Sequence, residues 1–135
     1  MDEIFDYSEF SAASECCDRF NSGVFVATPS QITFQDMLSK LETLPSYDNA
    51  DQGFLNSYFP KWHQISHNYN ALQNHYLTDS NAWEMKKIKI IHYVKYKPWQ
   101  TDIAPEVLNS VNILHSYWWK YYDKLKEIEL DKKFS

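Results

Sequence analysis

The scarcity of glycine constrains the backbone of this chain more than any other feature of its sequence. Only two glycines occur among 135 residues, whereas average usage would give roughly nine. Each lies in a short polar motif, Phe20-Asn21-Ser22-Gly23 or Asp51-Gln52-Gly53. Glycine is favoured where φ is positive, or where a ligand or another backbone segment leaves no room for Cβ. We therefore expect special backbone requirements at these two motifs, with ordinary turns as the alternative for each one alone.

Composition limits the class of protein. The chain has the length of one domain, and its hydrophobic content of 44% and aromatic content of 17% are typical of a folded chain. A net charge of -5 argues against nucleic acid as a partner, because no basic surface displaces counterions from phosphates. No apolar run reaches the roughly 18 residues that span a bilayer, and the acidic start lacks the regions of a signal peptide. Cys16 and Cys17 form no disulfide framework. These features predict a cytoplasmic protein without a transmembrane segment.

Hydrophobic patterning predicts the first elements. Val24–Ala27 is short, apolar and β-prone, which predicts a buried strand directly after Asn21-Ser22. Thr33 is expected to cap a helix that Pro45 closes. Asp51 is expected at the N-terminus of a short helix that extends to Phe59.

The rest of the chain has weaker signals until its last third. Residues 62–83 are polar and aromatic without clear periodicity, and we expect an irregular loop there. Residues 87–94 become apolar like a strand entering a core, with His92 near the C-terminal end, where α/β sheets bind ligands. Apolar residues at helical spacing over 107–125 predict one amphipathic helix. Its aromatic stripe is expected to be core rather than a stacking platform for sugars or RNA.

Several blocks of the sequence occur in the order of one enzyme family. They are Asp2-Glu3-Ile4-Phe5, Phe10-Ser11-Ala12-Ala13, Phe20-Asn21-Ser22-Gly23-Val24-Phe25-Val26, Asp51-Gln52-Gly53-Phe54-Leu55-Asn56, and Ile91-His92-Tyr93 with Lys97-Pro98-Trp99. Residues 1–99 thereby resemble the C-terminal half of a glycosyltransferase family 8 catalytic domain, the group that includes glycogenin and galactinol synthase. The resemblance implies an α/β fold, with the later strands and helices of a Rossmann-like nucleotide-diphospho-sugar transferase. Residues 100–135 are then expected to be an appended C-terminal helix that packs on this domain.

The resemblance also implies an activity, the retaining transfer of a hexose from a UDP-sugar to a carbohydrate or protein acceptor, assisted by a divalent cation, typically Mn²⁺. A diphosphate leaving group gains negative charge during transfer, so a metal and cationic donors suit it. His92 matches the histidine that binds the metal, and Lys97 matches the lysine that reaches the diphosphate. The alternative for His92 is a buried histidine at a strand end that is satisfied by the protein itself.

The catalytic pair implied by the resemblance is Asp51 and Gln52. These groups orient the donor sugar and stabilise positive charge on its reacting carbon; as an alternative, Asp51 is the N-cap of its helix. The sugar- and nucleotide-binding positions implied are Asn21, Ser22, Gly23, Gly53, Asn70 and Lys97. Among these, Asn70 is a candidate for the acceptor side.

The sequence also departs from the family pattern. It contains no Asp-x-Asp motif, which supplies the family's other metal ligands, and one histidine cannot build the oxygen-rich coordination that manganese prefers. Lys95 stands where relatives often have glycine. We therefore expect a truncated member that is inactive alone, with an exposed sheet edge that favours self-association. The alternatives are a non-catalytic interaction module that binds a partner through its C-terminal aromatic helix, and a carbohydrate-binding module.

Overall fold

The fold combines small sheets with helices, so the predicted α/β class is confirmed. The computed structural model describes residues 2–133. The strands within them are β1 (Ser11–Cys16), β2 (Arg19–Val26), β3 (His63–Ile65), β4 (Ala71–Leu72) and β5 (Ile91–His92). The α-helices are α1 (Gln31–Lys40), α2 (Asp51–Tyr58), α3 (Gln73–Thr78) and α4 (Pro105–Lys133), and short 3₁₀ helices cover Asp2–Asp6, His67–Tyr69 and Ser80–Ala82.

The chain divides into two compact units. The first contains the chain up to Asn70 together with Lys87–Ile90, and the second contains Ala71–Lys86 and the chain from Ile91 onward. The candidate residues from Asn21 to Asn70 therefore belong to the first unit, whereas His92 and Lys97 belong to the second. The division predicted at residue 99 stays a prediction.

The first unit is built on a three-stranded sheet in the order β2-β1-β3. β1 runs antiparallel to β2 and parallel to β3. Because successive side chains of a strand point to opposite faces, Ala12 and Ala13 lie in different apolar clusters. Ala12 joins Phe10 and Phe20, while Ala13 joins a second cluster around Ile65. The sheet is therefore covered on both faces.

The second unit pairs β4 with β5 in parallel and adds the long helix α4. The prediction of one helix through residues 107–125 is confirmed. Val111 and Leu114 are completely buried, whereas Tyr121 and Leu125 further along the helix are exposed, so its first half carries most of the packing. No helix within residues 2–133 is both long and apolar enough to cross a membrane.

The prediction of a buried strand at Val24–Ala27 is wrong in two respects. β2 begins at Arg19, so Asn21 and Ser22 lie inside the strand rather than before it. Val24 and Val26 are half-buried, while Phe25 between them is exposed. In this second half of β2 one face is more buried than the other, so exposure alternates along the strand, and an unbroken apolar run conceals that alternation.

The predicted bounds of α1 are also wrong. Ser30 rather than Thr33 is the N-cap, because the Ser30 hydroxyl accepts a hydrogen bond from the Thr33 N–H at 3.2 Å. The helix ends at Lys40, well before Pro45, and it buries no side chain completely. Serine and threonine are both favoured N-cap residues, with serine the better of the two, so the sequence offered two starting points.

Segments 62–83 and 87–94 differ from prediction as well. The first is not an irregular loop but contains β3, a 3₁₀ helix, β4, α3 and a second 3₁₀ helix. In the second, only Ile91–His92 is a strand. Elements of two to six residues are too short to show a period of their own.

One polar contact joins α1 to α2. Asp36 accepts hydrogen bonds from the Lys40 ammonium at 2.7 Å and from the Tyr58 hydroxyl at 2.6 Å. These two hydrogen bonds, with that from Lys40 the larger effect, lower the pKa of the Asp36 carboxyl. They favour the charged carboxylate in the folded chain.

Candidate functional site

Ser22 joins the two glycine-containing motifs into one polar cluster. Its hydroxyl donates a hydrogen bond to the Asp51 carboxylate at 2.8 Å, and its backbone N–H donates to Gln52 Oε1 at 3.0 Å. The first motif lies on β2, and the second begins α2. Motifs that are 30 residues apart in the sequence are therefore in direct contact.

Asp51 is the first residue of α2 rather than its N-cap. The N-cap is Ala50, which has no side-chain capping bond, so the N-cap alternative for Asp51 is wrong. Its carboxylate is exposed and lies at the helix N-terminus, where the helix dipole favours negative charge. One carboxylate oxygen accepts from Ser22, which fixes the group while leaving it accessible to a ligand.

The Gln52 side chain is held by three hydrogen bonds. Besides accepting from Ser22, its Nε2 donates to the Glu15 carboxylate and to the Tyr47 hydroxyl, each at 2.8 Å. The Arg19 guanidinium stacks over the Tyr47 ring, 4.1 Å from its centroid. Burial raises the pKa of Tyr47, so its hydroxyl stays protonated. The amide of Gln52 consequently has one fixed orientation, with Oε1 toward β2.

A second contact orients Asn21. Its Oδ1 accepts hydrogen bonds from Asn70 Nδ2 at 2.8 Å and from the Gly23 N–H at 2.9 Å. Asn21 is 6% exposed and Asn70 only 1% exposed. Because both donors converge on Oδ1, the amide of Asn21 cannot flip without losing them. Asn70 therefore helps to fix the orientation of the Asn21 amide.

Positive φ explains neither glycine, because both have φ values below zero. The residues with positive φ in the described chain are Cys17 and Asn49, each with a φ of 55°. Of the two reasons expected for these glycines, positive φ is therefore wrong at both.

Close packing explains Gly53 instead. A Cβ built there would lie 2.7 Å from the backbone nitrogen of Tyr47 and 2.5 Å from Ser46 Oγ, and it would also overlap the Asp48 carboxylate. That carboxylate accepts the Gly53 N–H at 2.9 Å. Although burial acts to raise it, the pKa of Asp48 is lowered by hydrogen bonds from the backbone and from Ser46. Gly53 therefore allows the turn before α2 to fold against the helix.

Asn56 completes the contact between α2 and β2, and sequence reasoning missed it. Its Oδ1 accepts the Phe20 N–H and its Nδ2 donates to the Phe20 carbonyl, both at 3.0 Å. Gln52 binds the Ser22 N–H one helical turn earlier. Four helical residues span about 6 Å and two strand residues about 6.6 Å, so the spacings match. The polar pair at i and i+4 in α2 was the signal that could have revealed this contact.

In the second unit, His92 lies on β5 opposite Leu72 of β4. Burial lowers the pKa of His92, and the nearby positive charge of Lys97 lowers it further. Both effects favour the neutral imidazole, which is the form that binds a metal. The Lys97 ammonium donates hydrogen bonds to the carbonyls of Tyr93 and Val94.

The described residues do not by themselves fit a divalent cation. Within residues 2–133, no group of three or more His, Cys, Asp or Glu side chains is placed to hold a metal ion. One imidazole with an ammonium nearby differs from the oxygen-rich, six-coordinate site that Mn²⁺ or Mg²⁺ prefers. His92 as a metal ligand therefore stays a prediction.

The α/β elements and the polar cluster between β2 and α2 are consistent with part of a nucleotide-sugar transferase. The sequence model of glycosyl transferase family 8 matches residues 8–103, and the chain belongs to that family.

Individual relatives agree with this assignment. Putative UDP-glucuronate:xylan alpha-glucuronosyltransferase 5 of Arabidopsis thaliana is 34% identical over 93% of this chain and 24% of its own length. Glycogenin-1 of Caenorhabditis elegans is 36% identical over 76% of this chain and 27% of its own length. Glycogenin-2 of Homo sapiens is 38% identical over 78% of this chain and 23% of its own length. The chain thus spans about a quarter of the length of these curated relatives.

Proposed function

We propose that this chain takes part in the retaining transfer of a sugar from a UDP-sugar donor to a carbohydrate or protein acceptor. The observation that carries the proposal is the contact of Ser22 with Asp51 and Gln52, which joins two polar motifs inside the family-matched residues. Membership of the family supports the reaction class.

The proposed roles follow from what each group can donate or accept. As the bond to the diphosphate breaks, positive charge develops on the sugar carbon, and the exposed carboxylate of Asp51 is suited to stabilise it. Gln52 and Asn21 orient the sugar by hydrogen bonds, because each amide is held rigid by protein partners. Lys97 contributes positive charge toward the leaving diphosphate.

The sugar donor is the next part of the proposal. Plant relatives that align with 93% and 94% of this chain carry UDP-glucuronate in their names, whereas the glycogenins align with 76% and 78% of it. UDP-glucuronate is therefore the donor to test first, with a neutral UDP-hexose as the comparison.

We also propose a divalent cation, with His92 as one of its ligands. The other ligands must come from the bound diphosphate and from groups outside the described residues, because no cluster within them suffices. When bound, such a cation would neutralise the diphosphate as it leaves.

The proposal is tested by titrating UDP and UDP-glucuronate into the ¹⁵N-labelled chain and following backbone amide shifts. We expect saturable changes at Ser22, Gln52 and Lys97, weakened at least tenfold in Ser22→Ala. Ser39→Ala is the matched control, because Ser39 lies on α1 with an exposed hydroxyl bonded to its own helix. Changes scattered over the surface without saturation, or equal affinity in both variants, would contradict the proposal.

A further inference from the structure

The segment after β5, residues 93–97, is held in place through the backbone of Tyr96, and we call it the 93–97 loop. The Tyr96 N–H donates to Gln73 Oε1 at 3.0 Å, and the Tyr96 carbonyl accepts from Gln73 Nε2 at 3.1 Å. Gln73 is completely buried. Its side-chain amide therefore binds Tyr96 as a neighbouring strand would, through one donor and one acceptor.

His115 on α4 approaches the same carbonyl. Its Nε2 lies 3.2 Å from the Tyr96 oxygen and 3.3 Å from Gln73 Nε2, and the side chain is 4% exposed. A carbonyl oxygen only accepts hydrogen bonds. A bare Nε2 would point its lone pair at this oxygen, whereas a protonated Nε2 donates to it. The contact of His115 with Tyr96 therefore requires the Nε2–H tautomer, in which two donors share one acceptor, whereas a bare Nε2 would accept from Gln73 Nε2 instead.

α4 makes two further contacts, one with the first residue of the 93–97 loop and one with a residue just after the loop. The Tyr93 hydroxyl donates to the Leu114 carbonyl at 2.7 Å, and the ring of Trp99 lies 5.1 Å from that of Trp118. Leu114, His115 and Trp118 fall within one turn of helix. These helical residues lie beyond the family-matched residues 8–103, so the contact was not implied by the family resemblance.

Lys97 directly follows the residue that is held. Its ammonium donates back to the carbonyls of Tyr93 and Val94, and its own N–H donates to Gln100 Oε1. The position of the Lys97 side chain thus depends on the path of the loop, and that path depends on the two hydrogen bonds that fix Tyr96.

We propose that Gln73 and His115 are positioning residues for Lys97, acting through the backbone of Tyr96, and that α4 is an integral part of the phosphate-binding unit. The positioning of the loop is independent of ligand, whereas the role of Lys97 toward a diphosphate rests on the proposed function.

The first test measures amide hydrogen exchange in the full chain by NMR, comparing wild type with Gln73→Met, which keeps the volume but removes both hydrogen bonds. We expect exchange at Tyr96 to accelerate about tenfold or more, while amides of α4 around Val111 change less than twofold. Unchanged exchange at Tyr96, or an equal loss of protection throughout the second unit, would overturn the positioning role. If Gln73→Met fails to fold, Gln73→Glu serves instead. It keeps an acceptor for the Tyr96 N–H but places a carboxylate oxygen against the Tyr96 carbonyl, where Gln73 has a donor. Faster exchange in the 93–97 loop is again expected, and unchanged exchange refutes the proposal.

The second test reads the tautomer of His115 from its imidazole ¹⁵N shifts at neutral pH. Protonation at Nε2 supports the proposal that His115 and Gln73 both donate to the Tyr96 carbonyl. Protonation at Nδ1 alone would remove His115 from the proposal.

The third test measures UDP affinity in a double-mutant cycle of Gln73→Met and Lys97→Met. If Gln73 acts through Lys97, the double variant binds no more weakly than Lys97→Met alone. Additive losses would overturn the link between the two residues. Absence of UDP binding in wild type would refute the proposed function instead, and the exchange experiment would still decide whether Gln73 positions the loop.

Discussion

Replacing Asn56 by alanine tests whether α2 satisfies the backbone hydrogen-bonding groups at the outer edge of β2. The substitution removes the partners of the Phe20 N–H and the Phe20 carbonyl, both bound at 3.0 Å. A buried backbone group left without a partner costs about 1–3 kcal/mol. Because the contact is part-buried, water can replace some of the loss, and we expect the free energy of unfolding to fall by about 2 kcal/mol for the pair.

The assay is urea unfolding followed through the indole N–H signal of Trp62, whose ring lies 5.5 Å from that of Phe20. Ser57→Ala is the control on the same helix, because its exposed hydroxyl donates to the Pro45 carbonyl rather than to β2, and its expected loss is within about 0.5 kcal/mol. Asn56→Asp is a second probe. It keeps an acceptor for the Phe20 N–H but places carboxylate oxygen against the carbonyl, so we expect at least the loss seen with alanine.

The account of the strand edge would be refuted if Asn56→Ala were no more destabilising than Ser57→Ala. It would also be refuted if Asn56→Asp matched wild type in stability. Either result would mean that water satisfies the Phe20 backbone as well as Asn56 does.

Three further tests, two of them with a control variant, address the packing and electrostatics of the first unit. Phe20→Ala should cost about 3–5 kcal/mol of unfolding free energy, because Phe20 is completely buried, whereas Phe34→Ala should cost far less at a side chain that is 48% exposed; urea titration distinguishes them. Gly53→Ala should cost about 1–3 kcal/mol through overlap with backbone, whereas Gly23→Ala, on an exposed strand position, should be tolerated, as thermal unfolding will show. The lowered pKa of Asp36 contributes stability above its unfolded pKa of about 3.9 that is lost as pH falls through the folded value. Asp36→Asn should therefore flatten the acid limb of stability against pH, and an unchanged limb would contradict this.

The sequence predicted the polar motifs better than the elements that carry them. Asn21, Ser22, Asp51 and Gln52 were selected by their motifs, and the structure brings Ser22 into contact with both Asp51 and Gln52. That β2 begins at Arg19 was missed, since the apolar run that marks the strand covers only its second half.

The partners of the motifs were less accessible to sequence reasoning. Gln73 and His115 act through side-chain hydrogen bonds to the backbone of Tyr96, which is distant from both in sequence, and such contacts leave no periodic signal. Gly53 was recognised as unusual, but its reason is close packing rather than positive φ. Distinguishing those two reasons requires knowing which segment packs against the glycine.

Calorimetric titration of UDP into the chain, with and without Mn²⁺, tests the central claim most directly. Wild type, His92→Ala and His63→Ala should be compared, because His63 is an exposed histidine on β3 and controls for nonspecific metal binding. The account predicts metal-dependent binding that is lost in His92→Ala and retained in His63→Ala. No binding at millimolar UDP, or binding that is unchanged by His92→Ala, would contradict it.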